Sequence, residues 1–340
     1  MTLHRFSALF SSAMNIIGNR PVLAIFDITK HCNQNCPMCN IPKNACEEMS
    51  VDEIEALAAR LRRFGIGYVF IQGGEPLVRK DVTDIVDIFI GKGIKPTVIT
   101  NGVLLNRELA SALAARPCNV AISLDSLERE RYAFLRGSDD LEKVLANIRE
   151  AALIENKKGN WSLTATISRQ SDFEDIKRIS NLAEELGWMF AIRPYISVSG
   201  IAGRYCEELS YEEKDVAEIF RFFYEKAKKE NYLASLIYRR HIEYIEGRPM
   251  PPCDAMKRSF LVRENGIIAP CIEMPGKEID IDDFARCKRE YRDSICRCNA
   301  EHPCFYNDAR EIGMLLRSIP GIILHLPVIL GQMRRYGNFF

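Results

Sequence analysis

The chain has 340 residues, 46 Lys and Arg against 46 Asp and Glu, and 47% hydrophobic residues. These values describe a globular protein of one large or two modest domains and exclude a fibre or a disordered tail. Zero formal net charge and the lack of a concentrated basic stretch give no footing for phosphates, so no nucleic-acid partner is expected.

Taken in chain order, residues 1–20 form an N-terminal segment whose apolar positions are interrupted by serines and Asn15, with no clean cleavage motif, so a secretory signal is not expected. From 21 to 195, short β-branched runs alternate with longer amphipathic stretches, the pattern of repeated βα units. Strands are predicted at Val22–Ile28, Tyr68–Gln72, Lys95–Thr100, Val120–Leu124, Ser162–Ile167 and Met189–Arg193. Helices are predicted at Val51–Phe64 behind a Ser50/Glu53 capping box, Asp81–Gly91, Asn106–Ala115, Leu141–Asn156 and Asp172–Leu186. The fold class is therefore α/β. Pattern alone leaves a partial barrel and an open doubly wound sheet both available, and in either one the loops after the strands' carboxyl ends gather the chemistry on one face.

Residues 196–248 read as a helical linker, with helices at Tyr211–Lys229 and Leu233–Ile245. Residues 249–310 are Pro-rich, cysteine-bearing and short of long periodic segments, and are expected to form a small module organised by metal. Residues 311–340 are an apolar tail. Its longest run, Ile319–Gly331, has 13 residues and two prolines, below the roughly 20 that span a bilayer. Packing over the barrel, a dimer seam, and a peripheral membrane contact aided by Arg317, Arg334 and Arg335 are the alternatives for this tail.

Twelve cysteines are too few for a small disulfide scaffold in a chain of this length. Apart from Cys118 and Cys206 they lie at the two ends: Cys32, Cys36, Cys39 and Cys46, then Cys253, Cys271, Cys287, Cys296, Cys298 and Cys304. Such clusters suggest metal, and reduced thiolates suggest a cytoplasmic protein. Cys32, Cys36 and Cys39 follow the first strand with C-x3-C-x2-C spacing. Three thiolates can hold a polynuclear centre with one open position, whereas a closed zinc site needs a fourth ligand such as Cys46 or His31.

This motif resembles the signature of radical S-adenosylmethionine (SAM) enzymes, which implies a partial (β/α)6 TIM-like barrel over 21–195. The resemblance implies that Cys32, Cys36 and Cys39 bind three irons of a 4Fe-4S cluster and leave the fourth to the amino and carboxylate groups of SAM. Met38 stands where many members carry an aromatic residue. Gly73-Gly74-Glu75-Pro76 resembles the family's GGEP motif, which implies a carboxylate for the methionine ammonium. Thr100-Asn101-Gly102 and Ser123-Leu124-Asp125 end the third and fourth strands, and the resemblance implies that Asn101, Ser123 and Asp125 line the SAM pocket. Arg136-Gly137 is similar to a pair whose guanidinium meets the methionine carboxylate. Taken singly, these are also an ordinary Gly-Gly or Asn-Gly turn and a solvated ion pair.

Cys253 and Cys271 frame C-x12-G-x4-C around an Asn265-Gly266 hairpin signal, which looks like the start of a SPASM or twitch module. Cys296, Cys298 and Cys304 resemble its later part, although the first gap is one residue where two are common. The resemblance implies a small C-terminal cysteine-rich module with one auxiliary 4Fe-4S cluster held by Cys253, Cys271, Cys298 and Cys304, with Cys296 the rival of Cys298 and Cys287 a spare. Four thiolates also satisfy zinc.

The resemblance implies an enzyme that reductively cleaves SAM to a 5'-deoxyadenosyl radical, which takes hydrogen from a small-molecule, lipid or peptide substrate. An external electron donor of flavodoxin or ferredoxin type is implied as a partner. With about twenty residues before the first strand, a preceding peptide-recognition domain is not expected. An iron-sulfur electron carrier without SAM turnover is the non-enzyme alternative.

Overall fold

The computed structural model describes residues 20–41, 47–196, 200–277 and 281–301, with isolated positions at 15, 18, 315, 318 and 325. Cys46, Cys304 and nearly all of the N-terminal segment and apolar tail lie outside the described residues.

Six strands run parallel and in sequential order: β1 (Leu23–Thr29), β2 (Tyr68–Gly73), β3 (Lys95–Thr100), β4 (Asn119–Ser123), β5 (Trp161–Ile167) and β6 (Met189–Pro194). Helices alternate with them: α1 (Val51–Phe64), α2 (Val82–Gly91), α3 (Arg107–Ala114), α4 (Arg129–Arg136), α5 (Leu141–Ala152), α6 (Phe173–Glu185), then α7 (Glu213–Glu230) and α8 (Tyr232–Ile245) after β6. Among the described residues the sheet stays open, in the order β6-β5-β4-β3-β2-β1-β7-β8, which is the architecture of a partial barrel. α1 begins where the sequence places it because Ser50 and Glu53 cap each other, Ser50 N donating to Glu53 at 2.8 Å and Glu53 N to Ser50 Oγ at 3.3 Å.

The two faces of the sheet do different work. Phe26, Ile28, Val69, Ile71, Val98, Val120, Ile122 and Leu163 are fully buried against the helices. Each such side chain contributes roughly 1.5–3 kcal/mol of burial. On the opposite face a smaller cluster of Leu23, Ile25, Leu261 and Ala269, with Tyr68, Phe70 and Ile272 beside it, lines the inside of the curve. Alternation along each strand sends one residue to the core and the next to the inside, so the inner face is free to carry polar groups.

The C-terminal part departs from the expected texture in two ways. The predicted hairpin forms, as β7 (Ser259–Val262) and β8 (Ile268–Ala269) in antiparallel pairing, but β7 also pairs in parallel with β1, from Leu23↔Ser259 to Phe26↔Val262. The hairpin thereby extends the barrel sheet itself. A helix of 18 residues, α9 (Phe284–Glu301), then occupies a stretch expected to lack long periodic segments. Its apolar stripe is narrow, Phe284, Cys287, Tyr291 and Ile295 at spacings of three or four, and most of its remaining described surface is charged. α4 is likewise a helix that the periodicity does not announce, because only Tyr132 and Leu135 of its eight residues are buried.

Candidate active site

The three cysteines that follow β1 line one cavity of about 300 Å³ at the carboxyl ends of β1 to β5. Each of these strands contributes a residue from its inner face: Ile25, Gln72, Ile99, Ser123 and Thr166. Gly73 at the end of β2, Gly74, Glu75, Asn101 and Asp125 from the loops and Arg136 at the end of α4 line further walls, and Cys271 and Ile272 enter from the hairpin side. Pro76 does not line the cavity; it opens a short 3-10 turn, Pro76–Val78.

The glycines of the Gly73-Gly74 pair join the end of β2 to the cysteine loop. Gly73 has φ +138°, and a Cβ there would lie 2.1 Å from the Thr29 carbonyl oxygen; at Gly74 it would lie 2.2 Å from that of His31. With no side chain in the way, Gly74 N donates to Thr29 O and Glu75 N to His31 O, each at 2.8 Å. A second close approach lies at Gly137, whose Cβ would stand 2.1 Å from Asn35 O. Both glycine motifs therefore mark places where the backbone presses on the cysteine loop.

Glu75 is 1% exposed and already holds three donors: Leu77 N at 3.0 Å and Thr100 Oγ1 at 2.7 Å on one oxygen, and Asn101 N at 2.7 Å on the other. Burial pushes its carboxyl above the usual range, and these hydrogen bonds oppose the rise. Asn101 passes the constraint on, donating from Nδ2 to Asn33 Oδ1 at 2.8 Å. Asp125, also 1% exposed, accepts from Thr166 N at 2.7 Å and faces Arg136 Nη2 at 2.7 Å. The Cys36 thiol donates to the Arg136 carbonyl at 3.6 Å, and Gln34 Nε2 donates to Tyr132 Oη and Ser138 Oγ, each at 3.1 Å.

Behind Gln72 lies a second polar group. Asp27 Oδ1 accepts from Gln72 Nε2 at 3.0 Å, and Lys30 Nζ pairs with Glu264 at 2.7 Å. Burial pushes the Asp27 carboxyl up to about 6, while its bond to Gln72 and the charges of Arg263 and Lys30 oppose the rise and Glu264 adds to it.

Burial also raises the thiols of Cys32 and Cys36, and that of Cys39 to about 11. Thiols in this state hold their protons until a metal displaces them. Three polar atoms at the cavity lack a hydrogen-bond partner in the protein: Gln34 Oε1, Arg136 Nε, and Asp125 Oδ2, which has only its ion pair. Three soft sulfurs, two glycines that keep one wall clear and unsatisfied polar groups on another fit an iron-sulfur cluster with a small charged cofactor beside it.

The C-terminal cysteines are arranged differently. Cys271 shares the cavity, Cys253 is half-buried and accepts from Ala255 N at 3.4 Å, and Cys287 is fully buried in the core with its thiol raised to about 11 by burial. On α9, Cys296 is exposed and Cys298 half-exposed. Among the described residues, no three His, Cys, Asp or Glu side chains are grouped to hold a single ion. Gln34, Gln72 and Thr166 are cavity residues that motif reasoning misses. Period-two alternation along β2 from Phe70 and along β5 from Thr164 is the signal that would have found Gln72 and Thr166.

Residues 26–183 match the model of the Radical SAM superfamily. The AdoMet-dependent heme synthase of Methanosarcina barkeri is 28% identical over 221 residues, 64% of this chain and 61% of that protein. A probable GTP 3',8-cyclase of Methanocaldococcus jannaschii is 28% identical over 268 residues, 75% of this chain and 86% of that protein. The chain thus spans less than two thirds of the length of the heme synthase. Among solved structures, Streptococcus suis SuiB bound to its precursor peptide SuiA superposes with TM-score 0.64 at 17% identity, covering 80% of this chain and 66% of that one. Native anSMEcpe with bound AdoMet gives 0.58 at 16%, covering 78% and 80%. These likenesses show the fold, and no helix among the described residues is long and apolar enough to cross a membrane. With its cysteine loop, glycine-sewn β2 end and open parallel sheet, the 26–183 segment of this chain resembles the radical SAM superfamily whose model it matches.

Proposed function

We propose that this chain is a radical SAM enzyme in which Cys32, Cys36 and Cys39 hold a 4Fe-4S cluster and SAM sits beside it in the 300 Å³ cavity. The observation that carries this is the convergence of three cysteine thiols and the Glu75, Asp125 and Arg136 side chains on that one cavity. When bound, the pair supplies a 5'-deoxyadenosyl radical by one-electron cleavage of the sulfonium, fed by an external flavodoxin- or ferredoxin-type donor.

The chain's own residues bind, orient and exclude water. An ionised carboxylate offers about four acceptor sites, and Glu75 has three filled, so one remains for the methionine ammonium. Arg136 offers its unsatisfied Nε to the methionine carboxylate, and Ser123, Asn101 and Asp125 face the ribose. Ile25, Ile99 and Ile272 keep the floor apolar, which protects a reactive species from solvent.

An auxiliary 4Fe-4S cluster on Cys253, Cys271, Cys298 and Cys304 completes the proposal, assisting substrate oxidation or bond formation. The position of Cys271 in the cavity wall favours it, because a group ligated there is close to the chemistry. The substrate class we favour is a small molecule, since the relatives that align over most of the chain are named for GTP cyclisation and heme synthesis. The test is anaerobic incubation with SAM and strong reductant. Release of 5'-deoxyadenosine is expected and should vanish in Cys36→Ala; wild-type protein that takes up iron yet releases none would overturn the enzyme in favour of an electron carrier.

A further inference from the structure

The cysteine loop is held from outside the barrel as well as from β2, through a strap formed by residues 200–206. Asn40 N donates to Ala202 O at 2.8 Å and Arg204 N to Met38 O at 2.8 Å, flanking an antiparallel bridge between Cys39 and Gly203. Arg204 Nε donates to Pro37 O at 2.6 Å, and Asn40 Nδ2 to Gly203 O at 3.1 Å. The backbone of Pro37, Met38 and Asn40, on both sides of Cys39, is therefore held by this strap.

What fixes the strap is a carboxylate from the far C-terminal side. Glu273 accepts from Gly203 N at 2.8 Å and Ala202 N at 3.2 Å, with Ile201 N also directed at it. Three successive backbone N–H groups around one carboxylate make an anion nest, a concave backbone turn closed by a fixed negative charge. Glu273 is itself clamped: Arg263 Nη2 donates to the carbonyls on either side of it, Ile272 O at 3.3 Å and Met274 O at 2.7 Å. At Gly200 an added Cβ would stand 2.0 Å from Glu273 Oε2, so a side chain there displaces the end of the carboxylate.

We propose that Glu273 is a positioning residue for the cluster loop: through the 201–203 backbone it sets the seat of Cys39 and couples the C-terminal hairpin to the retention of the cluster. This inference rests on the cluster reading above. Outer contacts of metal ligands typically alter affinity by about 10-fold to 100-fold when removed. Their loss should act on the cluster before it acts on the fold.

The experiment measures iron release from reconstituted full-length protein to a strong chelator under anaerobic conditions, followed by loss of the charge-transfer absorption, alongside thermal unfolding. Glu273→Ala is expected to release iron about 10-fold faster than wild type, with Glu273→Gln intermediate because one amide oxygen still accepts. Gly200→Ala should reproduce the effect from the opposite side of the contact with Glu273 intact, and it decides the question if Glu273→Ala is insoluble. Release at the wild-type rate in Glu273→Ala or in Gly200→Ala would overturn the positioning role. Wild-type protein that takes up no iron would instead overturn the cluster reading.

Discussion

The two cysteine-bearing regions solve different problems with the same residue. Near β1, three thiols sit on one irregular loop clamped by β2, by Glu75 through Asn101 and by Arg136, so a compact frame faces a single cavity. In the C-terminal part the described thiols are scattered over the loop before β7, the hairpin and a helix: one half-buried before β7, one in the cavity wall, one sealed in the core and two near the surface of α9. A set gathered on one short loop needs little chain ordering to receive a cofactor, whereas a dispersed set must draw its elements together and binds with part of its free energy spent on ordering.

The sharpest way to break this contrast is to remove thiols from the second set. Cys298→Ala is expected to lower iron from about eight to about four per chain while 5'-deoxyadenosine release in the absence of substrate persists. An unchanged iron count with loss of zinc would turn the C-terminal site into a structural one.

Next in size is the Asp125–Arg136 pair, which stands for the rigidity of the first region. Asp125→Ala leaves the Arg136 guanidinium without its counter-charge, which costs about 3–5 kcal/mol in sites of this burial. The double variant Asp125→Leu/Arg136→Leu should recover most of that stability in denaturant titrations but no SAM cleavage.

A smaller and pH-dependent effect lies where the two regions meet, at Asp27. Its folded-state pKa, near 6, exceeds the ordinary 3.8. Below about pH 4 both states are protonated; from about 4 to 6 the unfolded chain has released the proton and the native state still holds it, so Asp27 lowers stability as pH rises through this window. Above about 6 the penalty is constant. Asp27→Asn keeps the acceptor for Gln72 and should gain stability over wild type progressively from pH 4 to 6, to a plateau of about 3 kcal/mol at most. An equal gap at pH 4 and pH 7 would contradict the burial of that charge.

Much of the first region is legible in the sequence because its signals are local. Lys95–Thr100 and Val51–Phe64 are bounded in the structure as periodicity and the Ser50 cap bound them. The cysteines, Glu75, Asp125 and Arg136 stand in short motifs. Gln72 and Thr166 carry only the period-two alternation of their strands, and Gln34 and Glu273 carry no spacing at all, since their roles arise from the pairing of distant strands and loops. α4 and α9 were illegible for a simpler reason: helices that bury one narrow stripe look polar to any sliding window. The parallel pairing of β7 with β1 has no counterpart in local pattern at all, because a parallel ladder is specified by partners more than two hundred residues apart.

That pairing also fixes an order of events in the cell. β1 acquires its second neighbour only when residues 259–262 have left the ribosome, so the strand leading to the cysteine loop presents a bare edge for on the order of ten seconds or more of synthesis. An unpaired hydrophobic edge is a template for wrong partners. Until its own far end arrives to cover it, that edge of the nascent sheet is open to mispairing.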